Sequence, residues 1–435
     1  MASSTPPEAA FPFHVKEHTI PAQHIREFAR ATAHSQEDVL QLCVKQYIPK
    51  DNPSPQPGDV TLIGAHANGF PKELYEALWA DLYQRARGAG FRIRGIWIAD
   101  VAHQGYSGEV NEALLGDDPC WLDTARDLLH LTNVFRAEMP RPLVGVGHSF
   151  GGAVLAHLAL LHPRLLTTLV LLDPIIARFT LAPGGTGKAP AYASTFRRDA
   201  WPSRAEAAAS FRRSPYYRSW DPRVLSAWIA HALRDVPTPL YPDGAGVTLR
   251  TTKHQEVFTY FRPLWPYVRP DGTVDRDGAP DFDPDVLPQL DPANPYPFYR
   301  GEGPMVLRRL PELQPSALWV FGGASEASTP ESRADIAARC GVGQGGSGGT
   351  AAGRVDQVVL EGRGHLFPME EPGACADVAA SWIGREMARW REHEREYEAW
   401  VKRPMREKTT LSKEYIEKVG PPPARKKKGN ADSKL

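Results

Sequence analysis

Residues 142–161, PLVGVGHSFGGAVLAHLALL, constrain this chain more than any other stretch. The apolar run from Leu143 to Val146 reads as a buried parallel strand. The stretch from Ala153 to Leu161 is rich enough in Ala and Leu, and long enough, for a packed helix. Between them, Gly147-His148-Ser149-Phe150-Gly151 is a G-x-S-x-G pattern in the strand–turn–helix setting that gives it meaning. A serine on so sharp a turn has a strained backbone. Gly147 and Gly151 flank it because a β-carbon there would collide with the neighbouring strand and helix. The turn lifts the Ser149 hydroxyl out of the sheet. It also aims the N–H of Phe150, at the helix start, toward the oxygen of a carbonyl under attack.

The text on either side supplies a sheet for that turn. Strands are expected at 40–48, 59–65 (DVTLIGA), 91–100 (FRIRGIWIAD), 166–172, 317–322 (ALWVFG) and 355–360 (VDQVVL), with helices at 24–30, after the 66–70 loop, and at 123–136 and 331–339. Such alternation implies a mostly parallel sheet covered on both faces. It stops between about 175 and 310, where helical text (203–213 and 222–234) mixes with Pro/Gly/Asp-rich runs, most clearly 268–304. A segment of this length reads as a cap over the site. The expected organisation is an N-terminal extension (1–39), a first core segment (40–175), the cap (176–310) and a second core segment (311–385). An amphipathic helix (386–420) and a solvated tail (421–435) follow.

A serine hydroxyl is a poor nucleophile until a base takes its proton. The candidate base is His365 in GRGH, just past the last strand and at the carboxyl edge where Ser149 also emerges. A second oxyanion donor is expected at Asn68 or its neighbours in His66-Ala67-Asn68-Gly69-Phe70, with His66 bracing that loop. Two carboxylates qualify as the third member in the order Ser, acid, His: Asp173 after the elbow helix, and Glu326 after the later strand, Asp173 being preferred. His103 and His254 are read as structural or surface residues. The 184–188 stretch GGTGK is too short for a phosphate loop, and Ala189-Pro190 follows where Ser/Thr is needed.

Composition excludes several other roles. Lys plus Arg and Asp plus Glu both number 51, so no global field favours nucleic acid or an acidic membrane. Cys43, Cys120, Cys340 and Cys375 are far apart and read as free thiols in a reducing compartment. The N-terminus has neither the basic start nor the apolar core of a secretory signal, and no window reaches the apolar length of a membrane span.

The order HANGF, the 100–107 loop, GHSFGG, LLDP, FGG and GRGH resembles the α/β-hydrolase superfamily over about residues 40–175 and 310–385. The texts RRDAWPSRAEAAASF and YYRSWDPRVL resemble a fungal subgroup that is similar to the yeast peroxisomal lipase and to hydrolases linked with toxin biosynthesis. The resemblance implies an α/β-hydrolase fold with helices on both faces of the sheet and a largely helical and irregular cap. It implies Ser149 as nucleophile and His365 as base. Because the elbow carries Ser, it argues against chemistry that uses an aspartate there. The superfamily often places its acid after FG-x-x, where this chain has Ser325, and Asp173 is preferred for that reason.

The resulting expectation is a serine hydrolase of lipid-derived acyl esters or thioesters, lipase or esterase first and acyl-CoA thioesterase second, with no cofactor and no metal. Alternatives are an acyl-transferring or C–C-cleaving enzyme of secondary metabolism, and a non-catalytic binding protein that kept the fold. Residues 384–403 read as an amphipathic helix whose apolar stripe, Met387, Trp390, Tyr397 and Val401, packs on its own domain. The ending Ser433-Lys434-Leu435 matches the address read by the peroxisomal import receptor, which places the expected protein in the peroxisomal matrix.

Overall fold

Eight strands make one sheet: β1 (Phe13–Pro21), β2 (Gln41–Pro49), β3 (Val60–Ala65), β4 (Ile93–Ala99), β5 (Leu143–His148), β6 (Thr168–Leu172), β7 (Ser316–Gly322) and β8 (Val355–Leu360). Their spatial order is β1-β2-β4-β3-β5-β6-β7-β8. β1 and β2 pair antiparallel, as do β2 and β4, and the remaining neighbours are parallel. This computed structural model describes residues 11–177, 188–273, 275, 278 and 298–421. Every residue of β3, β5, β6 and β7 is buried, the pattern of strands covered on both faces. The chain leaves β3 toward β4 on one side, while β5 lies on the other. That reversal opens a crevice at the carboxyl ends of β3 and β5, where loops of an α/β sheet converge.

The helix that follows the elbow, Phe150–Leu161, is buried from Phe150 through Leu160. The ring of Trp121, at the start of helix Trp121–Val134, meets Phe150 edge-on at 5.1 Å. These helices and the strands share one continuous apolar core.

Three expectations need correction. Residues 1–39 are not all an extension, because β1 is the edge of the sheet. Its polar text, FHVKEHTIP, is that of an exposed edge strand with only Phe13 and Ile20 buried. The helix expected at 24–30 is only a 3-10 turn, Ala29–Ala31. Its segment is instead held by the acidic side chains of helix Trp121–Val134: Asp123 accepts from the Glu27 N–H at 3.1 Å, and Asp127 pairs with Arg26 at 2.9 Å. The segment between β6 and β7 holds short strands as well as helices: Ala200–Trp201, Val247–Leu249 and Leu233–Asp235 form one antiparallel sheet, and Arg262–Pro263 pairs with Phe298–Tyr299. The boundary expected at 385/386 lies inside one helix, Pro372–Val401, close to where the two units divide.

The cap helices start where local chemistry allows. Ser203 accepts from the Glu206 N–H to open Arg204–Arg213, Asp221 accepts from Arg223 to open Pro222–His231, and Thr252 accepts from Gln255 to open Lys253–Tyr260. Their interior is aromatic. Trp220 and Trp228 meet the ring of Phe70, from the loop after β3, at 5.5 and 6.1 Å, so the cap rests directly on that loop. Most of the 268–304 run and the 184–187 part of GGTGK lie outside the described residues.

The described residues up to 387 form one unit and those from 388 a second. Within the second, the long helix ends and two short ones follow, Met405–Thr409 and Lys413–Val419. Of the expected apolar stripe Met387 is buried, but Tyr397 and Val401 are exposed. Among the described residues no helix is long and apolar enough to cross a membrane.

Candidate active site

Ser149 has φ 57° and ψ −120°, a positive-φ conformation that side chains other than glycine rarely adopt. Its surroundings enforce it. Its N–H donates to Leu172 O at 2.9 Å, and its carbonyl accepts from Ile175 N at 3.1 Å. A β-carbon on Gly147 would lie 2.6 Å from Gly151 O, and one on Gly151 would lie 2.3 Å from Ala65 O. The turn therefore presses against itself and against the end of β3, and only glycine fits at both places.

Three loops at this edge bring their side chains together. His365, beyond β8, places Nε2 at 2.8 Å from Ser149 Oγ and Nδ1 at 2.6 Å from Asp173 Oδ2. Asp173 ends β6 at φ 43° and is fully buried, while the His365 side chain is 29% exposed and open to a substrate. Burial alone would raise the Asp173 carboxyl. Hydrogen bonds from His365, Ser325 and Ser328 outweigh it and hold the group below its ordinary value. Ser328 Oγ donates to Oδ1 at 2.5 Å and Ser325 Oγ donates to Oδ2. An ionised Asp173 accepts a hydrogen bond from Nδ1–H, which leaves the Nε2 lone pair facing the Ser149 hydroxyl.

Glu326 is exposed and is not part of this group. Ser325, the residue standing where the superfamily often has its acid, instead donates to the carboxylate that took its place. The structure thus has a carboxylate within reach of His365.

The loop after β3 can be read by elimination. Ala67 N–H donates to Tyr75 Oη at 2.8 Å, Gly69 N–H to Gln104 Oε1 at 2.7 Å, and Phe70 N–H to Ala67 O at 3.2 Å. Among the described residues, the Asn68 N–H has no hydrogen-bond partner, and neither does the Phe150 N–H at the first turn of its helix. The Asn68 side chain is spent elsewhere, accepting from Gln104 Nε2 at 2.6 Å and donating to Glu256 O at 3.0 Å. His66 braces the loop. Its Nδ1 bonds Ala67 O at 2.8 Å and its Nε2 accepts from Val101 N at 2.9 Å.

His103 is buried and bonded to Thr259 Oγ1 at 2.7 Å, and burial pushes its pKa down to about 3, so it is neutral. His254 is exposed. Sequence reasoning missed Ser325, Ser328, Gln104, Tyr75 and His148 as parts of this site. His148, which fills the first variable position of the elbow motif, and Ser325, which stands at the superfamily's usual acid position, carried a signal. Among the described residues no cluster of His, Cys, Asp or Glu could hold a metal ion.

Comparison with known proteins agrees with this architecture. A family model described as the alpha/beta hydrolase family matches residues 62–378. The chain is 41% identical to a type I acyl-CoA thioesterase of Penicillium roqueforti, over 97% of this chain and 99% of that one. It is 43% identical to a type I acyl-CoA thioesterase of Penicillium brevicompactum over 88% and 90%. Among solved structures, a peroxisomal alpha-beta-hydrolase of Saccharomyces cerevisiae superimposes with a TM-score of 0.65 at 15% identity, covering 92% of this chain and 99% of that one.

Proposed function

The chain belongs to the alpha/beta hydrolase family, and within it we propose a serine hydrolase that cleaves acyl thioesters of the coenzyme A type. The observation that carries this reading is the line from Ser149 Oγ through His365 to Asp173, at 2.8 and 2.6 Å. The thioester is put ahead of the oxygen ester because the full-length relatives are named acyl-CoA thioesterases. This reverses the order that the family resemblance and the targeting sequence suggested.

In the proposed reaction Ser149 Oγ attacks the thioester carbonyl as its proton passes to His365 Nε2. Asp173 stabilises the imidazolium through Nδ1–H without taking its proton. The Asn68 and Phe150 N–H groups receive the oxyanion. Collapse of the tetrahedral intermediate breaks the C–S bond, and the thiol leaves with the proton from His365. Water, deprotonated by the same His365, then releases the acid from Ser149. The Ser433-Lys434-Leu435 ending lies outside the described residues. It supports the peroxisome as the site of action, with import lost when a fluorescent fusion lacks those three residues.

The test is a comparison of kcat/KM for medium- and long-chain acyl-CoA against p-nitrophenyl esters of the same acyl chains. The proposal expects turnover of both, with the thioester favoured, and neither turned over by Ser149→Ala. Hydrolysis of the esters with no release of free coenzyme A would overturn the thioester assignment.

A further inference from the structure

Between Gly147 and Ser149 the chain places a buried histidine, His148, whose two ring nitrogens bond Tyr75 and the His365 carbonyl. We infer that Tyr75 and His148 are positioning residues, a buried hydrogen-bond relay that keeps the oxyanion loop and the base loop in register across Ser149. The inference rests on the catalytic reading of Ser149 and His365 given above.

The relay has one consistent direction. Ala67 N–H donates to Tyr75 Oη at 2.8 Å, so the Tyr75 hydroxyl proton is free to point at His148 Nδ1, 3.0 Å away. His148 Nε2 then carries the proton and donates to His365 O at 3.1 Å. Each partner is used once in its required sense: Oη accepts and donates, Nδ1 accepts, Nε2 donates. Tyr75 and His148 are buried. Burial, with His365 nearby, holds the His148 pKa down at about 3, so the ring stays neutral and its tautomer fixed at working pH. With Nε2 committed to a carbonyl, His148 is no second base.

The two ends of the relay explain its use. At one end it fixes the Ala67 peptide, the neighbour of the free Asn68 N–H. At the other it fixes the carbonyl of the residue whose ring faces Ser149. Neither loop belongs to a regular element at that point. A misplaced oxyanion donor or base costs little in substrate binding and much in transition-state binding.

Three substitutions separate the links. Tyr75→Phe removes the hydroxyl. His148→Gln carries an N–H near the Nε2 position but offers no acceptor at Nδ1, so it keeps the base loop and frees the oxyanion loop. His148→Asn offers an acceptor near Nδ1 but cannot reach the His365 carbonyl, so it does the reverse. In the full-length enzyme, Tyr75→Phe and His148→Gln are expected to lower kcat about 10- to 100-fold with KM within about threefold of wild type. They should weaken binding of a trifluoromethyl ketone substrate analogue by the same factor. His148→Asn should retain more analogue affinity than His148→Gln and shift the acidic limb of the kcat profile. The double variant Tyr75→Phe/His148→Gln should be no slower than the slower single variant, because both cut one link.

A Tyr75→Phe enzyme with kcat within twofold of wild type overturns the relay. So does a fall in kcat that leaves analogue affinity unchanged. If Tyr75→Phe does not fold, His148→Gln decides by the same two readouts. Wild-type enzyme inert toward every ester and thioester would instead defeat the catalytic reading on which the relay depends.

Discussion

Asp173 takes part in three hydrogen bonds with side chains, and each has a different cost of removal. The bond from His365 Nδ1 sets the imidazole tautomer, so Asp173→Asn is expected to lower kcat by about 10⁴ while KM changes little. Removing the Ser325 or Ser328 donor leaves the carboxylate and its imidazole partner in place. Ser325→Ala and Ser328→Ala should each cost about 2- to 10-fold in kcat, as steady-state kinetics on the three variants will show. Ser149 and His365 were legible because each announces itself locally, one in a glycine-flanked turn and the other in a loop after the last strand. The acid was legible only as a choice between two. Asp173 and Ser325 lie 152 positions apart in the chain, and no local pattern says which carboxylate faces a histidine. Asn68 lies in the loop after β3, as its text suggested. That its backbone, and not its amide, is left open depends on Gln104 and Glu256, whose arrival no spacing announces.

At the level of elements, two contacts between segments carry the next predictions. Gln104 ties the loop after β3 to the cap: it accepts from Gly69 N and donates to Asn68 Oδ1 and to Thr259 Oγ1 at 3.0 Å on the cap helix Lys253–Tyr260. Gln104→Ala leaves a buried N–H unpaired and should destabilise by about 1–3 kcal/mol. It should also lower kcat, because the loop that offers Asn68 loses its tether. Melting curves and kinetics on one preparation check both. The second contact is the N-terminal segment on helix Trp121–Val134. Burial pushes the Asp123 carboxyl up to about 6, with the Asp127 charge adding to the rise and Arg26 and Arg126 opposing it. A carboxyl raised in the folded state binds its proton more tightly there than in the unfolded chain. Its contribution to stability is therefore full below the ordinary carboxylate range and is lost as pH rises from about 4 to about 6. Asp123→Asn should remove that decline, so the melting temperature of the variant gains on wild type across this window. Parallel curves would refute the assignment. The same helix explains what the sequence concealed. Residues 24–30 look helical because their text is mixed, yet they are pinned by Asp123 and Asp127 about a hundred positions away. β1 was missed for the converse reason, since an edge strand exposed along most of its length shows no apolar alternation.

At the scale of the whole molecule, the thiols report on how closed the interior is. Cys120, Cys340 and Cys375 are buried and their thiols are pushed up by burial, Cys340 to about 12. Cys43 is half-buried and raised as well. The native protein should therefore react slowly with an alkylating reagent, at Cys43 first, and at all four cysteines once unfolded. Rapid native labelling at Cys340 or Cys375 would contradict a closed core. The parallel sheet and its elbow were legible at this scale, because fully buried strands leave near-continuous apolar runs in the sequence. The cap was legible only as an interruption. Its short strands are two or three residues long, below what periodicity can register, and its aromatic packing against Phe70 is a tertiary fact. The most direct test of the central claim is labelling of the native protein with a fluorophosphonate probe, wild type beside Ser149→Ala. An activated serine predicts one covalent adduct on wild type, carried by the peptide that contains Ser149, and none on the variant. Folded wild-type protein that takes up no probe, or a variant labelled as fully as wild type, would contradict the account.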